Sequence, residues 1–163
     1  MNKNNRFDRT RRFILKGAAA AVVSGFGLTA LLKGARAAAD AATWPKDAFT
    51  QKTQADAVKT LYGKDAEVSD KVKLDAPEIA ENGAVVPISV STALPDVTSI
   101  AILVAENPFP LAAIYKIPAG TAAAVSNRLK MAKTSNVIAL VASGGKIYSA
   151  TKEVKVTVGG CGG

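Results

Sequence analysis

A period of two sets in along the chain from Val72, and it constrains the fold more than any other feature. Val72 and Leu74 alternate with Lys71, Lys73 and Asp75. Val86, Ile88 and Val90 alternate with Pro87, Ser89 and Ser91, and Ile100, Ile102 and Val104 with Ala101, Leu103 and Ala105. Successive side chains of a strand point to opposite faces, so each run predicts a strand with one buried face. Further β-rich runs occupy residues 112–117, 122–131, 137–142, 147–151 and 154–158; residues 122–131 also admit a helical turn. Turn signals separate them: Glu81-Asn82-Gly83, Leu94-Pro95-Asp96, Asn107-Pro108-Phe109-Pro110, Pro118-Ala119-Gly120 and Ser143-Gly144-Gly145. The Gly144-Gly145 pair reads as a hairpin. Seven or eight short runs with frequent turns predict a mainly β chain, an antiparallel sandwich. Ahead of it, Ala48, Phe49, Ala55, Val58, Leu61 and Tyr62 recur at helical spacing, which predicts one N-terminal helix over residues 46–61. Pro45 suits its first turn and Gly63 its end.

The residue inventory excludes most catalytic chemistry. The 163 residues contain no histidine and one cysteine. His-based triads, His-ligated zinc or haem and imidazole acid–base catalysis are thereby removed, as is any intramolecular disulfide. Ser89, Ser91, Ser126 and Ser149 have no histidine to activate them. Asp65, Glu67, Asp70 and Asp75 form an acidic cluster that reads as solvated loop and strand edge. Trp44 reads as a packing plug rather than a ligand platform. The net charge of +8 suggests nucleic acid, but eight of the 21 Lys and Arg fall in residues 1–37 against one acid, Asp8. The remainder is nearly balanced, and nucleic acid is set aside as a partner.

Residues 1–37 read as an export signal. A polar, basic start is followed by the uncharged run 17–32 and by Ala35-Arg36-Ala37, a small-x-small cleavage pattern. The run is shorter than the ~18–20 residues that span a bilayer comfortably, so no stable membrane anchor is expected. Thr10-Arg11-Arg12-Phe13-Ile14-Leu15-Lys16 resembles the twin-arginine consensus, with Arg11 and Arg12 as the pair. An ordinary secretory signal or an uncleaved anchor is the alternative. The twin-arginine route carries folded proteins, so the expected destination is the periplasm, reached folded and in company with a cofactor or a partner. With no histidine and one cysteine to ligate a cofactor, a partner is expected. The expected organisation is a signal at 1–37, a helix and sandwich at 38–158, and an arm at 159–163.

The last five residues, Gly159-Gly160-Cys161-Gly162-Gly163, hold the remaining chemistry. A lone cysteine is usually a small buried hydrophobe. Cys161 stands outside the predicted core, where little can pack it down, and an exposed thiol in an oxidising compartment is a liability unless it is used. Gly159 and Gly160 make a hinge and a stalk without side chains. Three residues past Val158 reach about 10 Å, enough to present the thiol inside another protein's channel. The nearest cation is Lys155, and the terminal carboxylate favours the protonated thiol, so activation is expected from the site the arm enters. This is the geometry of a carrier, not an enzyme. Three other uses come into view. Cys161 could join two copies of a binding module by an intermolecular disulfide. A terminal Gly-Gly thiocarboxylate needs ATP for activation, which the periplasm lacks. Prenylation needs three residues after the cysteine, and two follow it.

The terminal Gly-Gly-Cys-Gly-Gly, on a strand ending a β-rich domain behind a twin-arginine signal, resembles the SoxY family of sulfur carriers. The likeness runs from about Lys46 to Gly163. It includes Ala76-Pro77-Glu78-Ile79-Ala80-Glu81-Asn82-Gly83-Ala84-Val85-Val86-Pro87 and Met131-Ala132-Lys133. The resemblance implies an immunoglobulin-like sandwich in a heterodimer with a second β subunit, SoxZ, which lacks a signal and is exported with its partner. It implies that Cys161 is joined oxidatively to thiosulfate by a c-type haem enzyme, SoxXA. A dimanganese hydrolase, SoxB, then releases sulfate, and in some organisms a molybdenum-haem sulfur dehydrogenase oxidises the sulfur that remains. It implies no cofactor or metal for the carrier itself.

Overall fold

The computed structural model describes residues 44–157. Two helices, α1 (Lys46–Phe49) and α2 (Gln54–Tyr62), precede nine strands. These are β1 (Glu67–Val68), β2 (Val72–Asp75), β3 (Ile79–Ala80), β4 (Val86–Thr92), β5 (Val97–Val104), β6 (Leu111–Lys116), β7 (Ala124–Leu129), β8 (Ser135–Ser143) and β9 (Lys146–Val156). Among the described residues no helix is long and apolar enough to cross a membrane.

The single helix expected over residues 46–61 is two. Thr50 Oγ1 and Gln51 Nε2 both donate to the Asp47 carbonyl, closing the first helix. Thr53 is extended (φ −121°, ψ 151°); its Oγ1 accepts from the Asp56 N–H at 3.1 Å and donates to Asp56 Oδ2 at 2.7 Å. A threonine whose side chain caps the third residue on starts a new helix rather than continuing an old one. Gly63 ends it in the left-handed conformation (φ 64°), its N–H bonded to the Lys59 carbonyl.

The strands form two sheets. The larger runs β1-β9-β8-β5-β6, with β3 also on β9, and the smaller β2-β4-β7. The alternating runs at 72–75, 86–92 and 97–104 are β2, β4 and β5, and residues 124–129 are the strand β7, without a helical turn. The expectation of a purely antiparallel arrangement is corrected at one edge. The two-residue strands β1 and β3 pair with β9 in parallel, Glu67 opposite Tyr148 and Ile79 opposite Lys155. The run at 147–151 and residues 154–156 of the next are one strand, β9, continuous through Lys152. Lys152 stands on a partly buried position and its Nζ donates to the Ala76 carbonyl, which supplies the partner a sequestered ammonium needs. The hairpin at Gly144-Gly145 joins the paired Ser143 and Lys146, with φ 55° and 77°. Two successive positive φ values suit the right-handed twist of the flanking strands, and glycine adopts them at least cost.

One core lies between the sheets, where Val86, Ile88 and Val90 meet Ile100, Ile102, Val137, Val141 and Val154. Fully burying each such side chain stabilises the fold by about 1.5–3 kcal/mol relative to exposure. A second core lies on the other face of the larger sheet, where Ala101, Leu103, Ile138, Leu140 and Ile147 are covered by Ala48, Ala57, Val58 and Leu61 of the helices. This is why β5 is buried on both faces along residues 99–104.

Candidate functional site

The residues singled out by the sequence as the carrier arm, Gly159, Gly160, Cys161, Gly162 and Gly163, lie outside the described residues, as do Arg11 and Arg12 of the export signal. The base of the arm is described. β9 leaves the sheet at the end where β5 finishes and β8 begins, since Val154 pairs with Ser135 and Val104 with Val137. Three loops share that end: residues 81–85, 105–110 and 130–134. They are tied to one another. The Met131 N–H donates to the Gly83 carbonyl at 2.7 Å. Asn107 Nδ2 donates to the Lys130 carbonyl, and Asn107 Oδ1 accepts from the Ala132 N–H. The Glu106 N–H donates to Ser135 Oγ at 3.0 Å. The Lys133–Glu106 ion pair at 2.9 Å is exposed on both sides and adds little in water.

The final turn of backbone before the arm is held from both sides. The Lys155 N–H donates to the Glu78 carbonyl at 2.9 Å and the Thr157 N–H to the Ala80 carbonyl at 3.1 Å. The Val156 N–H donates to Thr134 Oγ1 at 2.9 Å, and Thr157 Oγ1 donates to the Glu81 carbonyl at 3.0 Å. Neither threonine was marked by the sequence, because their partners come from segments more than twenty residues away.

Elsewhere among the described residues no catalytic set is gathered. Ser89 and Ser126 share a hydroxyl–hydroxyl hydrogen bond at 2.9 Å, and Ser149 Oγ donates to the Glu67 carbonyl, so these serines satisfy one another and the backbone. Asp65, Glu67, Asp70 and Asp75 are exposed, Glu67 within 3.4 Å of Lys146 Nζ. Among the described residues no group of three or more acidic, cysteine or histidine side chains could hold a metal ion. Trp44 packs on a neighbour, as the sequence suggested, but at the surface rather than in the interior. It is 62% exposed and stacks on Phe49 with ring centroids 4.7 Å apart. Lys52 Nζ sits 3.6 Å from the centre of the Phe109 ring, a cation–π contact. A groove of about 600 Å³ runs beside α2, lined by Val58, Lys59, Asp65, Val68 and Ile138 among others. A second, of about 370 Å³, lies between Thr92, Asp96, Ile117 and Thr121, at the far end of the sheets from the arm. One titrating side chain is perturbed: burial pushes the Tyr62 hydroxyl above its ordinary value of 10.0, opposed in part by its hydrogen bond with Ser99 at 3.1 Å. That pair joins α2 to β5 and is structural.

Comparison with known proteins bears on the arm. The model of the family "Sulfur oxidation protein SoxY" matches residues 58–161, so the match extends through the one cysteine. The sulfur carrier protein SoxY from Chlorobium limicola f thiosulfatophilum is a similar solved structure, with 41% sequence identity, 64% of this chain and 96% of that chain covered, and a TM-score of 0.59. An engineered protein (15% identity, 53% of this chain and 20% of that one, TM-score 0.39) is far weaker. So is a chain from work on T cell activation by the bacterial superantigen toxic shock syndrome toxin-1 (9% identity, 52% and 98%, TM-score 0.37). No curated protein matches the chain. With well over half of its length matched by the family model, the chain belongs to the SoxY family of sulfur oxidation proteins.

Proposed function

We propose that this protein is a covalent sulfur carrier of thiosulfate oxidation. Cys161 is the attachment point, and Gly159, Gly160, Gly162 and Gly163 form the arm that presents it to partner enzymes. One observation carries the reading: the family match ends on the chain's one cysteine, five residues beyond the last residue of β9. The body supports it. Two facing sheets, in the manner of an immunoglobulin-like sandwich, give the arm a rigid base, and no described side chains assemble into a competing reactive site.

The chemistry follows from a thiol and nothing else. In the loading step the Cys161 thiolate and the outer sulfur of thiosulfate form an S–S bond. Two electrons leave in one-electron steps, which the c-type haem of a partner of the SoxXA type would accept, and the product is Cys161–S–S–SO3−. In the release step water attacks the sulfonate sulfur, helped by a metal hydrolase of the SoxB type. Sulfate leaves with two protons, and a persulfide, Cys161–S–S−, remains. A sulfur dehydrogenase, where present, oxidises that sulfur further. In every step this chain holds and orients the sulfur atom, while the electrons and the metal belong to the partners. A SoxZ-like β subunit is the proposed stable companion, and the periplasm, reached folded by the twin-arginine route, the proposed location. Cys161→Ser replaces the nucleophilic sulfur by an oxygen and changes no residue of either core described above. It is expected to abolish carrier-dependent thiosulfate oxidation and to leave the melting temperature unchanged. A serine variant with full activity contradicts the reading.

A further inference from the structure

A carrier arm works only if its free length is defined, and the structure assigns that definition to two threonine hydroxyls. We propose that Thr134 and Thr157 are positioning residues that clamp the end of β9, fixing the point from which the arm swings. The proposal rests on the carrier reading of Cys161.

The β8–β9 ladder stops at Ser135 opposite Val154. Beyond it residues 155–157 have β3 on one side and the loop carrying Thr134 on the other. The Lys155 and Thr157 N–H groups point to β3 and bond the Glu78 and Ala80 carbonyls. The Val156 N–H points the opposite way, where the ladder has ended, and Thr134 Oγ1 takes it at 2.9 Å. Thr157 Oγ1 adds a bond to the Glu81 carbonyl at 3.0 Å. Two of the bonds that hold this segment therefore come from side chains. They act where backbone pairing is thinnest, because β3 is two residues long. Ala80 of β3 is buried and Thr134 directly precedes β8, so both jaws are anchored in the body.

The consequence is geometric. With the clamp closed, four residue steps separate Thr157 from Cys161, a reach of about 13–14 Å. With it open, the strand frays back to Val154 and seven steps give about 23–25 Å. The effective concentration of a tethered group falls with roughly the −3/2 power of tether length. Fraying therefore dilutes the thiol about 2-fold at a docked active site, and the lost orientation adds to this.

Threonine-to-valine changes test the clamp, since valine keeps the β-branched shape and removes only the hydroxyl. The full carrier with Thr134→Val and Thr157→Val is compared with wild type and with Thr157→Ser, which keeps the hydroxyl. The assays are turnover by the partner enzyme that loads the arm, amide hydrogen exchange at Val156 and Thr157, and the reaction of Cys161 with a small thiol reagent. The double valine variant is expected to exchange both amides faster and to lose about 2–5-fold in kcat. Its KM and its reaction with the small reagent stay unchanged, and Thr157→Ser behaves as wild type. Faster exchange with unchanged kcat overturns the positioning role. Unchanged exchange shows that the hydroxyls do not clamp the strand. A parallel fall in the small-reagent rate, or a serine variant as slow as the double valine variant, assigns the effect to thiol chemistry or to bulk. Turnover that survives Cys161→Ser is a separate result: it removes the carrier reading and not the clamp.

Discussion

At Gly145 the backbone sits at φ 77°, and a Cβ built there meets nothing within 4 Å. Any loss on substitution is thus conformational and not steric. Gly145→Ala is expected to destabilise the protein by about 1–2 kcal/mol, the usual cost of holding an L-residue left-handed. The check is a fall in the urea midpoint at constant m-value. That glycine pair was legible in the sequence because its requirement is local: two residues between two strands, both at positive φ. Trp44 was not legible. A lone tryptophan suggests a packing plug, and only the fold shows that Trp44 stays largely exposed while it stacks on the half-buried Phe49. Lys152 escaped for a related reason. In sequence a lysine inside an apolar run looks like an interruption, and the Ala76 carbonyl that accommodates it is 76 residues away.

At the scale of elements, Tyr62 links α2 to the sheet through Ser99, and burial favours its neutral form. Its folded pKa is raised, so its contribution to stability is fully present below about pH 10, the ordinary tyrosine range, and is lost as pH rises toward the folded value. Tyr62→Phe is expected to cost about 0.5–1.5 kcal/mol at neutral pH, the net worth of one hydrogen bond. The gap between variant and wild type should narrow at alkaline pH, as read from urea unfolding at pH 8 and pH 11. A gap that widens with pH contradicts the burial argument. The longer strands were readable because alternation is an internal property of each segment. β1 and β3 were not, since two residues carry no period and their pairing exists only because β9 offers an edge. The split of the helix was encoded in Thr53 and Asp56, but the continuing apolar spacing from Ala48 to Leu61 masked it.

For the whole molecule, charge is unevenly divided. The basic excess lies in residues 1–37, and residues 38–163 are close to neutral. The paired Arg11 and Arg12 are expected to be needed for transport, so changing both to Lys should leave the precursor in the cytoplasm. Fractionation of cells by immunoblot checks this, and normal processing in a strain lacking the twin-arginine machinery contradicts the proposed route. The body is a pair of facing sheets, and the end at which β9 finishes is tied by crossed loops and by Thr134 and Thr157. The SoxY family was legible in the sequence because the residue inventory is subtractive: one thiol flanked by four glycines, with no histidine in the chain, leaves few uses for a cysteine. The pivot was not, because it depends on three segments meeting at the end of β9.

The central claim is that Cys161 carries sulfur. Mass spectrometry of the peptide containing Cys161, from protein isolated during thiosulfate oxidation and kept free of reductant, addresses it directly. The account predicts Cys161 bearing sulfur adducts, the thiosulfate-derived S–S–SO3− and the persulfide, all released by a reducing agent. Cys161 found only as free thiol, or only in a disulfide between two copies of the chain, while thiosulfate is being consumed would contradict it.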